Sequence, residues 1–243
     1  MHVSERMGRG RRGAVLFRLA AVTLAAGCMQ RTETSDSTAP AEPLSGTSLL
    51  ESGVGVVAAG CSRVAQIGTG VVLGEVGQVV TVAHTIKGAK LITVIDFTGT
   101  EHAATVLAFD SDRDLAVLDV AGLDAAALDL GAVRLGDGVA LTWDRDEGVE
   151  LLSVAVTRRL LVTIEDIYLK DTVRRGALEV KADIQKGDSG GPIVSSDGDV
   201  IGIIYASSRQ REGIGFAIET SEIASVLRSR SDTPVDNGSC FAP

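Results

Sequence analysis

Twelve short apolar runs, none longer than eight residues and each bounded by glycine or polar breaks, constrain this chain more than any other feature. The first six lie at Gly53 to Ala58, Gly68 to Leu73, Gln78 to Val82, Leu91 to Ile95, Ala103 to Phe109 and Leu115 to Val120. The second six lie at Gly138 to Thr142, Leu151 to Arg158, Ala177 to Ala182, Gly191 to Val194, Val200 to Ala206 and Ile214 to Ile218. Runs of this length between turn residues read as strands, because an amphipathic helix needs a longer stretch with a 3.6-residue period. Leu130-Gly131, Leu135-Gly136 and Asp137-Gly138 mark turns between the two sets. The expected fold is therefore all-β: two packed six-stranded antiparallel β-barrels, the first over about 49–130 and the second over about 137–219. Aromatics make up only 3% of the chain, so Val, Ile, Leu and Ala must fill both cores. One short C-terminal helix is expected over Ser221 to Arg228, with the remaining tail running to 243.

Ahead of the strands, residues 1–27 read as an export signal, with Arg6, Arg9, Arg11, Arg12 and Arg18 before an apolar stretch from Leu19 to Gly27. That stretch is far short of the roughly 20 residues a membrane-spanning helix needs. Leu24 to Cys28, LAAGC, resembles the lipobox of bacterial lipoproteins, in which the cysteine becomes lipidated at the new N-terminus. Lipidation of Cys28 would attach the protein to the extracytoplasmic face of the membrane, and a plain secreted protein is the alternative. Residues 28–48, rich in Ser, Thr, Glu and Pro, read as a flexible tether. Without the signal, 18 basic groups face 31 acidic ones, a net charge near −13. Such a body repels phosphate backbones, and no nucleic-acid partner is expected.

The chemistry concentrates in GDSGGP, Gly187 to Pro192. A serine flanked by glycines can sit on a sharp turn with its hydroxyl exposed, although the same residues also suit an ordinary hairpin turn. Acyl transfer by serine further needs a base and a group to orient it. The chain beyond the signal has two histidines: His84 in TVAHT at the end of an apolar run, and His102 in what reads as a solvated hairpin turn. Carboxylate candidates cluster in DSDRDLAVL as Asp110, Asp112 and Asp114. No metal-ligand cluster, phosphate-binding glycine loop or nucleotide fingerprint stands out, so no cofactor or metal is expected.

TVAHT, DLAVL beginning at Asp114, and GDSGGP follow one another in the order His, Asp, Ser. Together they resemble the three signatures of trypsin-like serine proteases with the chymotrypsin double-barrel fold, over about Leu49 to Cys240. The resemblance implies that His84 is the general base, that Asp114 orients it, and that Ser189 is the nucleophile with the amides of Gly187 and Ser189 as its oxyanion hole. DLAVL, VIGII and GIGFAI at Gly213 to Ile218 are similar to HtrA-type bacterial proteases. Asp188 stands where those commonly carry Asn, and only about fifteen residues follow the helix, so no appended PDZ domain is expected here. The nearer resemblance is to membrane-anchored, disulfide-stabilised periplasmic trypsin-like proteases of bacteria, acid-resistance proteases among them.

From that resemblance, Cys61 and Cys240 are expected to form a disulfide, leaving Cys28 for the lipid. Asp183, six residues before the nucleophile, corresponds to the trypsin position that carries a carboxylate at the base of the S1 pocket, with Ala206, Ser207 and Ser208 along its wall. This would select Arg or Lys at P1. The implied function is a serine endopeptidase cleaving exported or envelope polypeptides through an acyl-enzyme. The alternative is a catalytically silent binding module or envelope lipoprotein scaffold on the same fold.

Overall fold

The computed structural model describes residues 46–240. The signal segment, most of the tether and Cys28 lie outside the described residues, and no helix among these is long and apolar enough to cross a membrane. The first barrel comprises β1 (Gly53–Ala59), β2 (Gln66–Val72), β3 (Gln78–Thr81), β4 (Leu91–Ile95), β5 (Glu101–Asp110) and β6 (Leu115–Val120), closed in the order β1-β2-β3-β6-β5-β4. The second comprises β7 (Gly136–Asp144), β8 (Gly148–Glu165), β9 (Thr172–Lys181), β10 (Pro192–Val194), β11 (Val200–Ser207) and β12 (Ile214–Glu219), closed as β10-β11-β12-β9-β8-β7. All neighbouring strands within the barrels are antiparallel.

The continuous apolar runs have a physical reason. Along β6, Ala116 and Leu118 point into the first barrel's own core with Val54, Val72 and Val94. Leu115 and Val117 point the other way, into a seam with Val194, Val200, Ile203 and Ile218 of the second barrel and Ile223 and Val226 of the C-terminal helix α3 (Thr220–Ser229). A strand buried on both faces needs apolar residues at every position, so its polar alternation disappears. A second seam forms where Trp143 packs with Leu50, Val57 and Ile67. Gly55 makes room for that indole, since a Cβ there would stand 2.3 Å from a ring atom.

The structure departs from the sequence reading in several places. A short helix α1 (Gly46–Glu51) takes up the last residues of the expected tether. His84, at the end of its apolar run, begins no loop but lies in a one-turn helix α2 (Ala83–Ile86). His102 is not solvated: it stands on β5 opposite Val94, with a side chain 12% exposed and Nε2 2.9 Å from Asp96 Oδ2. Burial pushes the Asp96 carboxyl up, but hydrogen bonds from Thr98, His102 and Thr100 outweigh it and hold the group below the usual carboxylate range. β8 and β9 run well past the expected strands, to Glu165 and from Thr172, as a long hairpin.

Candidate active site

β3 ends at Thr81, and the chain turns through extended Val82 into α2, which leaves the imidazole of His84 about one-third exposed. Asp114 meets it from the start of β6. The His84 backbone N–H donates to Asp114 Oδ1 at 2.9 Å, and Nδ1 lies 2.8 Å from Oδ2 and 3.1 Å from Oδ1. A nitrogen facing a carboxylate carries the proton, so Nδ1–H donates and Nε2 is left as the basic atom. Asp114 is only 4% exposed and its backbone has φ 57, a left-handed conformation uncommon outside glycine. Its two rivals are engaged elsewhere or open to solvent. Asp110 caps its own turn, accepting the amides of Asp112 and Arg113 and the Arg113 guanidinium, and Asp112 is exposed.

Ser189 stands on a turn held from both barrels. Buried Thr69 on β2 is the tie: its N–H donates to the Ser189 carbonyl at 2.8 Å and its hydroxyl to the Gly187 carbonyl at 2.9 Å. The same Thr69 hydroxyl accepts the Trp143 N–H at 3.0 Å. On the other side the Gly190 N–H donates to the Ile204 carbonyl, and the Ile204 N–H to the Gly191 carbonyl, each at 2.8 Å. Gly190 has φ +95, and a Cβ on it would lie 1.9 Å from the Thr69 carbonyl oxygen, so the turn closes only with glycine there. Gly68 marks where the two halves converge, since a Cβ there would be 2.9 Å from the Ser189 carbonyl and 3.0 Å from the hydroxyl of Thr85, the neighbour of His84.

The amides of this turn divide sharply. Those of Asp188, Gly190 and Gly191 donate within the protein, whereas those of Gly187 and Ser189 have no acceptor among the described residues. Two such N–H groups two residues apart on one turn are able to receive an anion. The hydrogen bonds of the His84 ring among the described residues go to Asp114, so the Ser189 hydroxyl is not bonded to it in this state. Such contacts are often long in free enzymes and tighten with substrate. Asp188 folds back, accepting the Gln185 N–H at 2.7 Å. Burial pushes its carboxyl up, the Gln185 amide opposes the rise, and the charge of Asp183 adds to it.

The remaining site residues are spread more widely. Asp183 is exposed, accepts a hydrogen bond from Gln185 Nε2 at 2.8 Å, and lines an open cavity of about 590 Å³ with Asp137, Ser153, Lys181 and Gly213. Ala206 and Ser207 on β11 pair with Phe216 and Gly215 of β12. Ile184 packs on Gly215 and on the core of the second barrel; its Cδ1 would lie 2.0 Å from a Cβ on Gly215. A further cavity of about 260 Å³ opens beside His84, bounded by Cys61, Gln66, Thr85 and Lys87. Cys61 and Cys240 are joined by a disulfide, their Cα atoms 5.5 Å apart. Thr69 and Ile184 were not singled out from sequence. The Gly68-Thr69-Gly70 step inside an apolar strand was the available signal for the first.

Comparison with known proteins agrees with this geometry. The profile described as trypsin-like peptidase domain matches residues 68–203. Serine protease Rv3671c of Mycobacterium tuberculosis is 30% identical over 188 residues, covering 75% of this chain and 46% of that protein. Serine endoprotease DegS of Escherichia coli is 31% identical over 162 residues, covering 63% of this chain and 44% of its own length. The chain thus spans less than half of these curated relatives. The crystal structure of the Rv3671c protease in its active form superposes with a TM-score of 0.76 at 26% identity, over 81% of this chain and 88% of that one. The inactive form gives a TM-score of 0.66 at the same identity, over 75% and 90%.

Proposed function

The chain belongs to the trypsin-like peptidase family, and from that premise we propose that it is a serine endopeptidase with Ser189 as nucleophile, His84 as general base and Asp114 as the group that orients His84. One observation carries the reading: a buried Asp114 bonded twice to a partly exposed His84, whose neighbour Thr85 meets at Gly68 the serine turn, and within GDSGGP the Gly187 and Ser189 amides are left without acceptors among the described residues. The greater likeness to the relative's active form than to its inactive form supports it.

In the reaction, His84 Nε2 takes the proton of the Ser189 hydroxyl as that oxygen attacks the scissile carbonyl carbon. The carbonyl oxygen becomes an anion and is met by the Gly187 and Ser189 N–H groups. His84 returns the proton to the leaving amine as the C–N bond breaks, giving the acyl-enzyme. A water molecule then repeats the steps, with its oxygen in place of Ser189, and restores the free hydroxyl. Asp114 stays ionised, keeps Nδ1 protonated and stabilises the imidazolium that forms twice per cycle.

The substrate is a polypeptide of the exported or envelope compartment, reached by a domain anchored through lipid on Cys28. At P1 the surroundings favour a short apolar side chain over a basic one, because Ile184 packs against Gly215 while Asp183 is turned to Gln185 and solvent. A peptide library presented to the full-length chain tests the nucleophile and the P1 preference. Cleavage after small apolar residues, abolished in Ser189→Ala and unchanged in Asp183→Asn, is the expected outcome. Cleavage after Arg or Lys that Asp183→Asn removes would restore Asp183 as the base of the pocket, and no cleavage by a folded chain would favour a binding module on the same scaffold.

A further inference from the structure

Arg175 on β9 is a charge that the catalytic reading leaves unused. It is 4% exposed, takes part in none of the ion pairs among the described residues, and its buried Nε has no hydrogen-bond partner there. A buried guanidinium without a carboxylate is costly, so its surroundings must compensate it in another way. Its contacts run toward the catalytic acid. Nη1 donates to the Asp112 carbonyl at 3.3 Å, two residues before Asp114, and the guanidinium carbon lies 4.3 Å from the centre of the Tyr205 ring. Tyr205 follows Ile204 on β11, whose backbone holds Gly190 and Gly191 beside the nucleophile. Arg175 therefore links the loop of the acid to the strand beneath the serine turn.

That loop needs support, because Asp114 sits at φ 57 and a non-glycine residue keeps such a conformation only where its surroundings over-determine it. Its preceding residues are gripped one after another from the second barrel and α3. The Ile167 N–H reaches the Ser111 carbonyl at 3.4 Å, Arg175 takes that of Asp112, and Arg113 Nε donates to Glu222 Oε2 at 2.9 Å. The other oxygen of Glu222 accepts the Gly176 N–H at 2.8 Å. Ile167, Arg175 and Gly176 all belong to the β8–β9 hairpin. Of the three, Arg175 is the one whose side chain reaches the loop itself, and it takes a carbonyl two residues before Asp114 with a charged donor. Tyr205 lies within the field of both ends: burial pushes its phenol up, Arg175 opposes the rise and the Asp114 carboxylate adds to it.

We infer that Arg175 is a positioning residue for Asp114, holding the Asp112 carbonyl so that the strained loop keeps Asp114 on His84. The inference rests on the triad reading above. It acts through Asp114 and not through substrate, so its signature is a loss in the chemical step that depends on Asp114 being present.

A double-mutant cycle on the full-length chain reads this, using the rate of fluorophosphonate labelling at Ser189 and kcat and KM on a peptide substrate. Arg175→Met, which keeps the length of the side chain and removes its charge and planar fork, should lower the labelling rate and kcat about 10- to 100-fold, the range seen when a residue orienting another functional group is lost, with KM unchanged. Arg175→Lys should recover part of that loss. In an Asp114→Ala background, Arg175→Met should cause no further loss. Equal losses in both backgrounds, or a loss that follows the melting temperature with Lys no better than Met, would overturn the inference and leave Arg175 as packing. Where the Met variant does not fold, Arg175→Lys in the two backgrounds makes the same comparison, loss beside Asp114 supporting the inference and loss without Asp114 overturning it. A wild-type chain that is not labelled, or an Asp114→Ala chain labelled as fast as wild type, fails the triad reading itself and takes this inference with it.

Discussion

Two glycines with nearly the same backbone angle separate the demands of a turn from those of the site. Gly74 has φ +78 and open space where a Cβ would go, while Gly190 has φ +95 and would place that atom 1.9 Å from the carbonyl oxygen of buried Thr69. Gly74→Ala should therefore cost only left-handed strain, about 1 kcal/mol. Gly190→Ala should cost clearly more, because Thr69 is fixed by its bonds to the serine turn and cannot withdraw, and it should also abolish activity. Denaturation midpoints of the two variants check this, and equal midpoints would contradict it. His84, Asp114 and Ser189 could be picked out in the sequence as three separate motifs; what the fold adds is the meeting of the first two across 30 residues. Thr69 is marked only by the glycines on either side of it, which do not tell its role, and Arg175, one arginine of an Arg-Arg pair, looks like any strand residue until its partners from distant segments are known.

At the level of elements, the strands buried on both faces are readable because burial forces an unbroken apolar run, as over Leu115 to Leu118 of β6. The β8–β9 hairpin was readable only in its lower half. From Thr157 to Glu165 no residue is fully buried, and Leu161 on the exposed face breaks the polar alternation opposite half-buried Leu160, Val162 and Ile164, so the strand is not marked. Pairing of Arg158 to Glu165 with Thr172 to Glu179 holds it, and charges reinforce it: Glu179 is clasped by Arg158 and Arg211, and Glu219 by Arg159. Hydrogen bonds from Arg158 and Arg211 hold the Glu179 carboxyl down to about 2, from an ordinary 4.5. A folded pKa below the unfolded one means the contribution to stability is complete above about 4.5 and is lost as pH falls toward about 2. Thermal unfolding between pH 5 and 2 should show that loss in the wild type and a shallower one in Glu179→Gln. Parallel curves for the two proteins would contradict it. Both arginines are about half exposed, so added salt should weaken the effect.

Across the whole domain, the C-terminal tail returns to the first barrel and closes around the turn that carries His84. Asn237 Nδ2 donates to the carbonyls of Ile86 and Ala89, each at 2.9 Å, the Gly88 N–H donates to the Asn237 carbonyl, and the disulfide to Cys61 lies directly beyond. The bridge spans 179 residues, so on chain-entropy grounds reduction should cost about 5 kcal/mol before strain and residual unfolded structure reduce that figure. A reduced chain should melt lower and lose activity together, because the same tail steadies α2. An unchanged melting temperature after complete reduction would contradict this.

The central claim, that two barrels converge on an activated serine, is tested most directly by fluorophosphonate labelling of the full-length chain folded under oxidising conditions, read by intact mass beside Ser189→Ala and His84→Ala. The account predicts a single adduct on the wild type, none on Ser189→Ala, and labelling of His84→Ala slowed by at least about a thousandfold. A folded wild-type chain that takes no adduct, or a His84→Ala chain labelled at the wild-type rate, would contradict it.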